Sequence, residues 1–75
     1  MDKEFDAVRR LLGTNVRRLR NARKLSQEQL AFDAGIDRTY VSQIERAKIN
    51  PSLLVLHKLA KALGVPAVEL FTKNR

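Results

Sequence analysis

Apolar residues recur along most of the chain at steps of three and four. No segment alternates convincingly with a period of two, so the pattern predicts an all-α protein. Phe5, Val8, Leu12, Val16 and Leu19 form one apolar face of a first helix. The start of that helix is left open. Asp6 can cap it early, whereas Gly13-Thr14 marks a break or a later start, and residues 1–8 then form an arm. A second helix has a sharp beginning. Ser26 and Gln29 stand at capping-box spacing, and Leu25 and Leu30 at the two positions of a hydrophobic staple. That helix carries Leu30, Ala31 and Ala34 and ends near Gly35, a residue that tolerates the left-handed conformation of a helix stop.

A third helix begins only two residues later, capped by Asp37 and stapled by Ile36 and Val41. Helices joined by so short a glycine turn diverge at a large angle, which defines a helix-turn-helix unit over residues 26–46. After the Asn50-Pro51 turn, Ser52 caps a fourth helix with a core stripe of Leu53, Leu56, Leu59, Ala60 and Leu63, stopped by Gly64. A last short helix starts at Pro66 and offers Val68, Leu70 and Phe71. The whole is one five-helix domain over residues 1–75, with room for one small core.

Composition narrows the chemistry. There is no Cys and a single His, so disulfides, thiolate metal sites and His-cluster chemistry are not expected, and no cofactor is implied. No nucleophile–base set can be assembled, so the chain reads as a non-enzyme. No long apolar run or signal-peptide pattern appears, so no membrane span is expected and the cytoplasm is the default location. Charge adds more: 15 Lys and Arg stand against 8 Asp and Glu, a net +7. Arg9, Arg10, Arg17, Arg18, Arg20, Arg23 and Lys24 lie within residues 9–24 without one acid. Such a run captures polyanions, or is simply a solvated basic face; the two readings weigh about equally, ahead of an acidic membrane surface.

The third helix decides between them. At about 100° per residue, Val41 and Ile44 point one way, with Tyr40 at the edge of that sector. Arg38, Thr39, Ser42, Gln43 and Arg46 fall within an arc of roughly 140° on the opposite side, and no acid shares it. Ordinary solvent-facing helices mix Glu and Lys at i, i+4 spacing. Here the side chains are those that read DNA. Arg donates twice to guanine, Gln pairs with adenine, and Ser and Thr let a helix approach the major groove. Gln27, in the first turn of the second helix, is placed to bridge a phosphate and the recognition helix, or is an exposed amide.

With these residues in place, the stretch from Leu25 to Leu53 resembles the Cro/CI-type helix-turn-helix family of phage repressors and small bacterial regulators. The resemblance covers about residues 12–71 and rests on Leu25-Ser26-Gln27, Leu30-Ala31, Gly35, Val41-Ser42, Ile44-Glu45-Arg46, Asn50-Pro51-Ser52 and Leu63-Gly64-Val65. The run from Asp37 to Ser42 also resembles controller proteins of restriction–modification systems. The resemblance implies five helices, a homodimer and a palindromic operator in double-stranded DNA. By position it implies Gln27 near a phosphate and Arg38, Thr39, Ser42 and Gln43 toward bases. Tyr40, Arg46, Lys48 and Asn50 fall near the backbone, and Arg20 forms a structural ion pair with Glu45. One departure stands out: the family usually places Gly after the recognition helix, and this chain has Ala47, which predicts a helix running on to Lys48.

Leu54, Val55, Val65 and Val68 are apolar residues to spare and are assigned to the dimer interface, with Phe71 shared between interface and core. No small-molecule ligand is expected. The rival reading is an antitoxin-type adaptor whose main partner is another protein. Whether transcription is activated or repressed is not written in the residues.

Overall fold

A computed structural model describes residues 2–73. Among them are four α-helices: α1 (Lys3–Ala22), α2 (Gln27–Ala34), α3 (Arg38–Glu45) and α4 (Leu53–Leu63). A 3-10 helix over Ala67–Phe71 takes the place of the expected fifth α-helix, with Pro66 one position before its start. The all-α architecture and the helix-turn-helix at α2–α3 stand as read from the sequence.

α1 settles the question left open at the N-terminus. Its cap is Asp2, whose Oδ1 accepts from the backbone N–H groups of Glu4 at 2.7 Å and Phe5 at 3.3 Å. Residues 3–8 are therefore helical and not an arm; Met1 lies outside the described residues. Asp6 is already inside the helix, paired with Arg9 one turn on. Nor does the helix break at Gly13. A Cβ there would sit 2.6 Å from the Ile44 carbonyl oxygen and 2.8 Å from that of Glu45. The glycine is where the last turn of α3 presses against α1.

α2, α3 and α4 begin on the caps their sequences announce. Ser26 Oγ accepts from Gln29 N at 3.0 Å while Gln29 Oε1 accepts from Ser26 N at 2.8 Å, a complete capping box. Asp37 accepts from Thr39 N at 2.7 Å and Ser52 from Val55 N at 3.1 Å.

The helix ends share a second device. Each of the four closes with paired backbone bonds, such as Lys48 N to Gln43 O at 2.9 Å and Ala47 N to Ile44 O at 3.0 Å. This closure needs a residue in the left-handed region. Gly35 and Gly64 supply it after α2 and α4, but Lys24 (φ 58°) and Ala47 (φ 56°) supply it after α1 and α3. The expectation that the recognition helix runs to Lys48 is thus overturned: α3 ends at Glu45, and Ala47 takes the strained conformation in place of glycine. The two carbonyls satisfied by the closure outweigh the steric cost of its Cβ.

The core gathers Leu12, Val16, Leu30, Ala31, Ala34, Val41, Ile44, Leu59, Ala60, Leu63 and Leu70. Three residues placed on apolar faces by periodicity lie outside it, the half-buried Phe5 among them. Val8 is 45% exposed, and Leu53, the first residue of α4, is 82% exposed. A polar residue occupies the core instead. Asn15 is fully buried, and its Nδ2 donates to the carbonyls of Leu70 and Thr72, both at 2.9 Å, fastening the end of the chain to α1.

Candidate nucleic-acid interface

α3 packs on α1 through Gly13 and on α2 through the shared core, so only one of its sides can be free. Arg38, Thr39 and Arg46 are exposed on that side, and Ser42 and Gln43 are half-buried along it. Among the described residues, none forms a side-chain hydrogen bond or ion pair with these five. Thr39 does bond Asp37, but through its backbone N–H, which leaves the hydroxyl available. The face predicted to read bases is therefore a row of unengaged donors and acceptors, held still by the Asp37 cap at one end and the closure at Ala47 at the other.

The recognition helix is fixed to the domain by Glu45. Its carboxylate is completely buried and receives Arg20 on both oxygens, from Nε at 2.7 Å and from a terminal nitrogen at 3.0 Å. Gln27 Nε2 donates to Oε1 at 3.1 Å and Arg17 Nε to the same oxygen at 3.4 Å. One acid thus joins α1, α2 and α3. Burial alone would push the Glu45 carboxyl up. The bonds from Arg20, Gln27 and Arg17 and the Arg20 charge outweigh burial and hold it below the usual carboxylate range. The same bond raises the Arg20 guanidinium above its ordinary value.

The neighbouring predicted contacts fall as follows. Gln27 is half-buried and spends one amide proton on Glu45, keeping its other proton and its carbonyl for a ligand. Tyr40 is half-buried against the core, and its hydroxyl accepts from Ser52 N at 3.4 Å, tying α3 to the start of α4. That contact brackets the loop carrying Lys48 and Asn50, both exposed.

The basic run of α1 is mostly committed elsewhere. Arg9 pairs with Asp6 and lies over the Phe5 ring, 5.3 Å from its centroid. Arg18 donates to Asn15 Oδ1 at 3.3 Å. Arg20 donates to the Leu25 carbonyl as well as to Glu45, and Arg23 caps the Leu63 carbonyl at the end of α4, each at 2.8 Å. Charge density along the sequence marks this helix; Arg9 and Arg18 bond within it, and Arg20 and Arg23 bond other parts of the fold.

Of the residues assigned to a dimer interface, Leu54 and Val68 are 60% and 70% exposed, whereas Val55 and Val65 pack in part against the core. Leu53, assigned to the core, is instead an exposed neighbour of Leu54. Among the described residues there is no cluster of His, Cys, Asp and Glu suited to a metal, and no helix is long and apolar enough to cross a membrane.

Comparison with known proteins places the chain. Residues 16–70 match the Helix-turn-helix family, HTH_3. The chain is 43% identical over 65 residues to the HTH-type transcriptional regulator y4dJ of Sinorhizobium fredii, covering 87% of this chain and 84% of that one. It is 44% identical over 70 residues to control protein C.SmaI of Serratia marcescens, covering 93% and 83%. The crystal structure of the restriction–modification controller protein C.AhdI from Aeromonas hydrophila superposes with a TM-score of 0.84 at 48% identity, covering 87% of this chain and 98% of that chain.

Proposed function

The chain belongs to the Helix-turn-helix family, and from that premise we propose that it is a sequence-specific, DNA-binding transcription regulator and not an enzyme. The observation that carries this reading is the α3 face: five polar side chains, free of acids and of internal partners, on a helix whose other sides are packed. In a major groove Arg38 donates to guanine O6 and N7, Gln43 pairs with adenine, and Thr39 and Ser42 admit the helix and contact bases or a thymine methyl. Gln27 and Tyr40, with Arg46, Lys48 and Asn50, lie along the rim of this face and meet the phosphate backbones, which fixes register without reading sequence.

A single recognition helix reads too few base pairs to define a site, so the working unit is a homodimer. It presents two copies of α3 about 34 Å apart to a palindromic operator. Leu54 and Val68, joined by Leu53, supply the exposed part of its apolar interface; Val55 and Val65 support it from the core. Likeness to C.SmaI and C.AhdI supports the narrower role of a restriction–modification controller, acting in the cytoplasm beside the DNA it regulates.

Selection of bound sequences from random duplex DNA tests the reading. The expected product is one inverted repeat, with half-sites about one helical turn apart. Recovery of no preferred sequence contradicts it.

A further inference from the structure

Glu45 holds more positive charge than it needs. Arg20 contacts both carboxylate oxygens, at 2.7 and 3.0 Å, and its charge alone cancels that of Glu45. Arg17 adds a second cation through a longer 3.4 Å contact. The side chains of Arg20 and Glu45 are 13% and 0% exposed, but that of Arg17 is 55% exposed. A buried neutral pair therefore carries a loosely held, solvated guanidinium at its edge.

The position of that guanidinium matters. Arg17 and Gln27 donate to the same oxygen, Glu45 Oε1, so their nitrogens lie close enough to serve neighbouring phosphates of one strand. Gln27 opens α2 beside Ser26 and Arg38, at the edge of the α3 face. Arg17 also belongs to a stripe along α1. Arg10, Thr14, Arg17 and Asn21, spaced by four, three and four residues, are all exposed, and no acid interrupts them. Thr14, Arg17 and Asn21, with Arg18, line a hollow of about 280 Å³ above Glu45. Its lining thus carries a hydroxyl, an amide and two guanidinium groups.

We propose that on DNA binding Arg17 leaves Glu45 and takes a backbone phosphate next to the one Gln27 meets, so that α1 contributes a contact of its own. The exchange is favourable because Glu45 keeps its charge partner in Arg20. The phosphate, by contrast, has only diffuse counterions, and Arg17 releases one of them. The proposal rests on the reading of α3 as the DNA-reading helix.

The test is Arg17→Gln, measured on the selected operator and on an unrelated duplex across a salt series, with thermal unfolding in parallel. Affinity is expected to fall on the order of tenfold on both duplexes alike. The slope of log affinity against log salt is expected to become shallower by about 1, with the melting temperature unchanged. Arg17→Lys, which keeps the charge, should restore most of the slope. An unchanged affinity and slope would overturn the proposal. So would a fall in melting temperature like that of an Arg20 variant, which would make Arg17 a structural partner of Glu45. Wild-type protein that bound no duplex at all would remove the reading of α3 as well. Specific wild-type binding with Arg17→Gln unaffected would remove only the role of Arg17.

Discussion

α1 and α3 both look like DNA-binding helices on paper, and they use their polar side chains in opposite ways. α1 carries most of the chain's arginines, yet its Arg9, Arg18 and Arg20 are bonded to Asp6, Asn15 and Glu45, and Arg23 just past its end to the Leu63 carbonyl. α3 has few charges, and its outward side chains have no partner among the described residues. The charges of Arg9 and Arg20 are compensated by Asp6 and Glu45, and the bonds of Arg18 and Arg23 to neutral acceptors occupy donors without cancelling charge. An unengaged amide or guanidinium on a rigid helix can be matched to a base edge. On the proposed reading, recognition falls to the helix with fewer cations, and the Arg20–Glu45 pair of α1 holds that helix in place.

The comparison can be broken most forcefully at Arg20. Removing it leaves Glu45 as a buried charge without its main partner. Arg20→Ala should lower the unfolding free energy by about 3–5 kcal/mol, read from urea titration. A loss of about 1 kcal/mol or less would mean that Arg20 is a surface cation, as its sequence context suggests. Gly13→Ala comes next. The added methyl meets the α3 carbonyls at 2.6 and 2.8 Å, so the helices must part. The gain in helix propensity, about 1 kcal/mol, is outweighed, and a net loss of about 1–2 kcal/mol is expected. A stabilised variant would show that α3 can move freely on α1.

The smallest effect has the opposite sign. Ala47→Gly removes a Cβ from the left-handed region at the end of α3. It relieves about 1–2 kcal/mol of strain and gives part of that back as chain entropy, for a net gain of about 0.5–1 kcal/mol in thermal unfolding. A destabilised protein would contradict the closure described for α3.

Much of this was legible in the residues. Caps announce α2, α3 and α4, and staples the first two, because each is a local pattern within six residues, and the acid-free arc of α3 follows from helical spacing alone. The Arg20–Glu45 pair was accessible only through family resemblance, since nothing local links positions so far apart. The start of α1 is open in the sequence between a cap at Asp6 and a break or later start at Gly13-Thr14, and the structure places it earlier than either, on the Asp2 cap. Gly13 reads as a break until the α3 carbonyls beside it are seen. Lys24 and Ala47 were missed as helix stops because a non-glycine residue gives no sign that it will adopt positive φ. Leu53 obeys the core periodicity of α4 but stands at its very end, where the stripe has nothing to pack on. Asn15 sits beside the apolar face of α1, and its burial depends on the carbonyls of Leu70 and Thr72 far along the chain.

The central claim, that the free side of α3 reads bases, is tested most directly by one ratio: affinity for the selected operator over affinity for a scrambled duplex, compared between wild type and Arg38→Ala. The account predicts that the variant loses about 1–3 kcal/mol on the operator and little on the scrambled duplex, with an unchanged melting temperature, so the ratio falls. Equal losses on both duplexes would make Arg38 a phosphate contact and contradict the claim.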